Sequence, residues 1–457
     1  MVKALMRLAL AFVCSLISGS GAILAQPAAP PPKLDPKVFD SYLGTYEFSS
    51  GRLMVIARTE RRLYAYEPGS ERLRGLERID ERTWVAGPTL LVFTPEIYRL
   101  TFLKDAKGSV TGVRYAVRGA TAEEARKAPL YREEEVTFRN GDVALSGTLL
   151  IPASKGPHPA IVLAHGSGAQ DRNGYLANIR FLADHLARHG IAVLTYDKRG
   201  SGRSTGEWAT ASFADLAADL VAGVRILRAR PDIIATQVGA GGSSQAGWIS
   251  AKAVAQLPDI AFVMITSAGG SGYTVEEQNL YNTEVEMRAA GISEERIARA
   301  LDLQRRFFAV LRRGQGAEAR EYDEAVRIAR EDTVLRDWIF PLSSEVDWRK
   351  RDVWYMALEV SFDPLPAWRA YKGPVLGVFG ELDAQTPVAG VVPRFTEALM
   401  SRKGADFTVS VFPNASHLLL EATRASDDEL ERLQRFVPGF YDFISDWLRG
   451  RLRRQPR

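Results

Sequence analysis

Cysteine is nearly absent: Cys14 is the only one in 457 residues. One thiol excludes a disulfide framework and a cysteine-based zinc site. It also excludes a cysteine nucleophile once the apolar N-terminal run that carries it is removed. Histidine is scarce, with five, so the proton-shuttling candidates are His158, His165, His185, His189 and His417. An excess of one charge sign is missing as well: 59 Lys+Arg face 55 Asp+Glu, a net +4. The basic tail Arg449, Arg451, Arg453, Arg454 and Arg457 reads as a solvated helix end or an anionic-surface contact, so no nucleic-acid partner is expected. The apolar run Leu8 to Ile17 falls short of the roughly 20 residues that span a bilayer, and no membrane span is expected in the mature chain. What is present is 46% apolar, 25% charged and 9% aromatic, an ordinary globular composition. At about 150 residues per domain, the length allows two or three domains.

The first 25 residues have the pattern of a secretory signal peptide. Lys3 and Arg7 precede the apolar run, Ser18 to Ala22 break it, and Ile23-Leu24-Ala25 places a small residue at the cleavage position. Phe12 and Val13 stand before Cys14 where a lipid anchor would need small residues. Export to the periplasm or the exterior is therefore expected. Residues 26–37, with Pro27, Pro30, Pro31, Pro32 and Pro36, read as an extended linker.

Residues 38–130 alternate short apolar runs with turns, among them Gly44 to Phe48, Leu53 to Ile56, Leu90 to Phe93 and Tyr98 to Phe102. The pattern predicts a small antiparallel β domain that holds no nucleophile, metal cluster or phosphate loop and serves as an accessory or interaction module. From 131 to 457 the pattern changes. A hairpin turns at Asn140-Gly141, and apolar strands then alternate with helices, as in Ala160 to Ala164, Phe181 to His189, Ile191 to Tyr196 and Phe213 to Leu227. Strands that are apolar on both faces predict a mostly parallel sheet with helices on both sides. The alternation stops over about 270–366, a charged helical insertion ending in Trp338, Phe340, Trp348, Trp354, Tyr355 and Phe362. The insertion reads as a lid over the sheet edge or as a stabilising layer. The strand–helix pattern resumes at Pro374, and a closing helix is expected from about Asp428 to Leu448.

Gly242-Ser243-Ser244-Gln245-Ala246-Gly247 follows a strand and opens a helix. A strand-to-helix turn this sharp exposes its central hydroxyl and demands small residues two before and two after it. Gly242 and Ala246 set Ser244 as the nucleophile. A serine hydroxyl needs a base, and His417 is the only histidine after Ser244. It sits in Pro413-Asn414-Ala415-Ser416-His417, just past a strand. Asp383, in the loop after the preceding strand, is the candidate acid that holds the imidazole tautomer, with Glu381 as the rival. The small residues of His165-Gly166-Ser167-Gly168 follow the first parallel strand, so the backbone N–H groups of Ser167 and Gln245 are the candidate oxyanion donors. His165 reads as a structural histidine. Asp197-Lys198-Arg199-Gly200 lacks the ending of a phosphate loop and is expected to form a turn with an Asp197–Arg199 hydrogen-bond set. Asp171-Arg172-Asn173-Gly174 lines the entrance or is a plain polar loop.

Together these segments resemble the α/β-hydrolase superfamily over about Val136 to Leu448. His165 to Arg172 looks like the exported bacterial carboxylesterases that carry an N-terminal β domain, and serine peptidase-type relatives are also similar. Ala246 departs from the strict pattern, which has Gly there. The resemblance implies an α/β-hydrolase fold and a serine hydrolase that cleaves carboxylic esters of small molecules through Ser244, His417 and Asp383, without metal or organic cofactor. A peptidase or amidase on the same triad is the nearest alternative. A non-catalytic cell-envelope binding protein is the second.

Overall fold

Eight strands near the N-terminus close on themselves in sequence order. They are β1 (Gly44–Phe48), β2 (Leu53–Arg58), β3 (Leu63–Glu67), β4 (Arg72–Arg78), β5 (Thr83–Ala86), β6 (Tyr98–Lys104), β7 (Val110–Val117) and β8 (Glu123–Ala128). β1 pairs with both β2 and β8, so the antiparallel barrel has no free edge. Aromatic side chains fill it, with Tyr42 stacked on Phe102 at 4.4 Å and Phe39 edge-on to Trp84 at 5.7 Å. The computed structural model describes residues 31–313, 320, 323–324, 327, 331–332 and 359–452. The expected signal peptide and most of the aromatic-rich end of the insertion lie outside these residues.

One expected strand is not a strand. Leu90 to Phe93 lies between Pro88 and Pro95 as irregular chain. Proline removes ladder donors, and this segment pairs elsewhere: Leu90 N–H donates to Leu433 O at 2.9 Å and Leu91 N–H to Glu431 O at 3.0 Å.

The second sheet has eight strands: β9 (Tyr131–Asn140), β10 (Val143–Pro152), β11 (His158–Ala164), β12 (Ala192–Tyr196), β13 (Ile233–Ser243), β14 (Val263–Thr266), β15 (Val375–Gly380) and β16 (Phe407–Phe412). Their order across the sheet is β16-β15-β14-β13-β11-β12-β10-β9. β11 to β16 pair in parallel, and β10 runs antiparallel to both β9 and β12. The period of two sorts the apolar strands between two faces. Val162 and Leu194 join one core with α2 (Phe213–Arg228), α3 (Ala246–Gln256) and α7 (Val388–Met400). Ile161 and Val193 join the other with α1 (Asn178–Arg188) and α8 (Phe440–Leu452). α2 starts where it does because Ser212 and Asp215 cap it reciprocally.

The second core also takes in barrel residues. Tyr66 of β3 packs against Phe181, Phe436 and Tyr441 at 5.3–5.5 Å. Of the insertion, α4 (Val275–Ala289) and α5 (Glu294–Arg313) are described, followed by α6 (Leu365–Ala370). The closing helix is shorter than expected. Asp427–Arg432 forms a 3₁₀ turn, Pro438-Gly439 interrupts the chain, and α8 begins only at Phe440. Among the described residues no helix is long and apolar enough to cross a membrane.

Candidate active site

The turn between β13 and α3 holds Ser244 at φ 59°. This left-handed conformation costs a serine of order 1–3 kcal/mol and persists only where the surroundings enforce it. They do so here: Ser244 N–H donates to Thr266 O at 2.9 Å, and Gly247 N–H to Ser244 O at 3.0 Å. A side chain on Gly242 would come within 2.3 Å of Ala164 O and 2.8 Å of the Ala246 Cβ. Glycine at 242 is therefore what makes room for alanine at 246, and the departure from the strict pattern is accommodated.

His417 lies in the loop after β16, almost fully buried. Its Nδ1 is 2.9 and 3.0 Å from the two carboxylate oxygens of Asp383, which follows β15. Asp383 is held in turn by the N–H groups of Gln385 and Thr386, each at 2.8 Å from Oδ1. This is the contact of an imidazole whose Nδ1 carries the proton and whose Nε2 is left to act as base. Glu381, the rival acid, instead accepts from Asn414 N–H at 3.0 Å and pins the start of the histidine loop. Burial lowers the His417 pKa, but the charge and hydrogen bond of Asp383, with help from Asp427, outweigh it and leave the imidazole above its ordinary 6.5.

Ser244, His417, Ser167 and Gln245 line one cavity of about 140 Å³. That is close to the space that accommodates a benzene ring. Its apolar wall is Ile179, Trp208, Phe213 and Trp248. The insertion contributes Val275 but otherwise amides, Gln278, Asn279 and Asn282. Among the described residues, the insertion thus gives the cavity a polar wall, and the aromatics come from the body of the domain. Among the described residues, neither the Ser167 nor the Gln245 N–H is taken up by another backbone carbonyl.

His165 is buried, and its Nε2 donates to Tyr196 O at 2.5 Å. Burial, with the neighbouring Lys198, pushes it down to about 3. The expected Asp197–Arg199 set is not formed. Two buried carboxylates, Asp197 and Asp219, each take their own arginine, as buried charges require. Arg172 donates to Asp197 at 2.9–3.1 Å. Arg199 donates to both Asp219 oxygens at 2.7 Å. Arg172 also reaches Glu135, Thr148 and Ser146. Residues 171–174 therefore knit the loop to the β9–β10 hairpin, and they face a separate groove of about 1580 Å³ beside the barrel rather than the cavity of Ser244.

Two ionisable groups, one lining the cavity and one behind its wall, escape sequence reasoning. Asp427 lines it beside His417 and accepts from Gln385 Nε2 at 2.5 Å. Burial, with Glu286 and Asp383 nearby, pushes its carboxyl up to about 7 despite the opposing His417 and the Gln385 bond. Nothing in Ser426-Asp427-Asp428-Glu429 distinguishes this acid from its neighbours. The second is Lys198, two residues past the end of β12 and bonded to Gly166 O, Gly168 O and Gln245 Oε1. Away from the cavity, His185, His189 and Asp442 bring ligand atoms within 4.8 Å of one another. His185 Nε2 is already bonded to Ser445 Oγ at 3.1 Å, and Arg188 and Arg449 face the same ring.

Residues 161–431 match the alpha/beta hydrolase family. Esterase EstD of Thermotoga maritima is 30% identical over 135 residues, 28% of this chain and 32% of that protein, so the match spans about a third of the relative's length. Among solved structures, the Pyrococcus furiosus esterase PF2001 is 15% identical, with a TM-score of 0.44 over 70% of this chain and 91% of that one. Est1E of Butyrivibrio proteoclasticus with bound ferulic acid is 14% identical, with a TM-score of 0.43 over 70% and 99%. Dienelactone hydrolase of Anabaena variabilis is 18% identical, with a TM-score of 0.39 over 72% and 100%. The matched stretch runs from the strand before the His165 turn, through the Ser244 elbow, to beyond His417, and over it the chain belongs to the alpha/beta hydrolase family.

Proposed function

We propose that the protein is a serine hydrolase that cleaves carboxylic esters of small molecules. The observation that carries this reading is the Asp383-bound His417 facing the same cavity as a serine held at positive φ. Ser244 Oγ attacks the ester carbonyl carbon while His417 Nε2 takes its proton. The carbonyl oxygen becomes an oxyanion between the N–H groups of Ser167 and Gln245. Collapse breaks the bond to the alcohol, which leaves with the proton from His417. A water deprotonated by His417 then attacks the acyl-enzyme, and Ser244 recovers its proton as the acid departs. Asp383 stays ionised throughout and stabilises the imidazolium. The acyl group sits against Trp208, Phe213 and Trp248, in a space that favours short or single-ring acyl chains. Esterase EstD lends its name to the ester reading. The proposed place of action is the periplasm or the exterior, on the signal-peptide pattern of residues 1–25.

The test is labelling with a fluorophosphonate probe together with hydrolysis of a short-chain nitrophenyl ester and an aminoacyl anilide. Wild type should label and prefer the ester. Ser244→Ala should abolish both labelling and turnover, a loss of about 10⁴–10⁶, and Ser243→Ala should retain both. Faster anilide cleavage would reassign the enzyme to amide bonds. A folded wild type that neither labels nor turns over ester would leave only a binding role.

A further inference from the structure

Lys198 takes no part in the proton transfers, yet its ammonium is almost completely buried, 3% exposed. It donates to three oxygens: Gly166 O at 2.7 Å, Gly168 O at 2.9 Å and Gln245 Oε1 at 2.9 Å. Among the described residues no carboxylate is in contact with it. The ionisable groups that face it are Asp219 of α2, itself paired with Arg199, and the neutral His165 after β11. A buried cation with only neutral acceptors is costly to keep, which directs attention to what those acceptors belong to.

Gly166 O and the Ser167 N–H are the two ends of one peptide group. In a trans peptide they point in opposite directions. An ammonium on the carbonyl therefore directs the N–H away from itself, and polarises it through the shared amide. The loop closes on the nucleophile from that side, since a Cβ on Gly166 would lie 3.6 Å from the Ser244 Cβ. The third bond holds the side chain of Gln245, whose own N–H is the second donor.

We propose that Lys198 is the positioning residue of the oxyanion hole: one buried ammonium orients both N–H donors and sets its positive charge behind the forming oxyanion. The proposal rests on the acyl-transfer reading above. Burial pushes the ammonium down to about 7, against the pull of Asp219. Its charge, and with it the stabilisation of the oxyanion, is then lost as pH rises, which adds an alkaline limb to the rate profile.

The experiment compares wild type, Lys198→Met and Gln245→Met with an ester substrate and a trifluoromethyl ketone. Ser244 Oγ adds to the ketone carbonyl carbon as its proton passes to His417 Nε2, which gives an anionic hemiketal. Lys198→Met should lower kcat about 100-fold, the scale of losing one oxyanion donor, with KM within threefold. It should weaken the ketone by the same factor and lose the alkaline limb while keeping the acid one. Gln245→Met leaves the ammonium in place and frees one arm of the clamp; it should lower kcat and ketone affinity together by about tenfold. A folded Lys198→Met with wild-type kcat and ketone affinity overturns the proposal. So does a loss confined to KM. If Lys198→Met does not fold, Gln245→Met with unchanged kcat and ketone affinity overturns it. Failure of the underlying reading has a different signature: wild type forms no ketone adduct, or Ser244→Ala still turns over.

Discussion

The backbone N–H of Leu73, on barrel strand β4, donates to the carbonyl of Gln434 at 2.9 Å. Phe436 N–H returns a bond to Glu71 O at 2.9 Å. The barrel thus extends its own pairing onto the segment that runs on from the histidine loop, where Leu430 and Leu433 line the cavity. This makes the barrel part of the scaffold of the site. Tyr66→Ala, which empties the contact with Phe181, Phe436 and Tyr441, should cost about 3–5 kcal/mol. Thermal unfolding should fall as one transition, with ester hydrolysis lost at the same temperature. Loss of the barrel signal alone, with hydrolysis intact, would show the two parts to be independent.

The elbow gives an asymmetric pair of substitutions. Gly242→Ala places a methyl 2.3 Å from Ala164 O at φ 151° and should abolish activity by displacing Ser244. Ala246→Gly removes only a buried methyl and should leave kcat within a fewfold of wild type, at a stability loss of about 1 kcal/mol from glycine inside a helix. Steady-state kinetics and chemical denaturation of both proteins check this.

In the proposed mechanism the base is the neutral imidazole, so its pKa sets the acid limb. The raised His417 pKa puts the fall in kcat/KM at a pH above 6.5, with rate declining as acidity increases. Asp427→Asn removes a negative charge that favours the imidazolium, so the limb should move to lower pH. Asp427 titrates near 7 itself, so the two groups share their protons and the profile reports the pair. A limb that stays in place in Asp427→Asn would remove Asp427 from the coupling.

The two acids of the Gly380 to Pro387 loop should separate cleanly. Asp383→Asn leaves the shape and reverses the tautomer preference of His417, and kcat should fall about 10⁴-fold. Glu381→Gln can still accept from Asn414 N–H and should stay near wild type. Equal losses in both variants would shift the acid's role away from position 383.

The sheet was legible because its strands are apolar on both faces, as in Ala192 to Tyr196, and that pattern has few other solutions. The elbow was legible because steric demand around Ser244 writes itself as small residues at fixed offsets. Pairing between distant segments leaves no such trace. Leu90 to Phe93 has the composition of a strand, yet it docks on residues 431–433 as irregular chain. Asp197 stands two residues from Arg199, yet each finds its partner elsewhere, because burial of Asp219 on α2 decides where the guanidinium goes. Asp427 and Lys198 are ordinary in sequence and acquire their character only from what surrounds them.

The segment that follows His417 is clasped by the barrel of residues 44–128. Contacts that join residue 73 to residue 434 are among the most non-local a chain of this length can make, and such contacts form late and slowly. During synthesis residue 244 is therefore made well before residue 417, and on the proposed mechanism a chain cut ahead of the histidine loop would carry the elbow without its base.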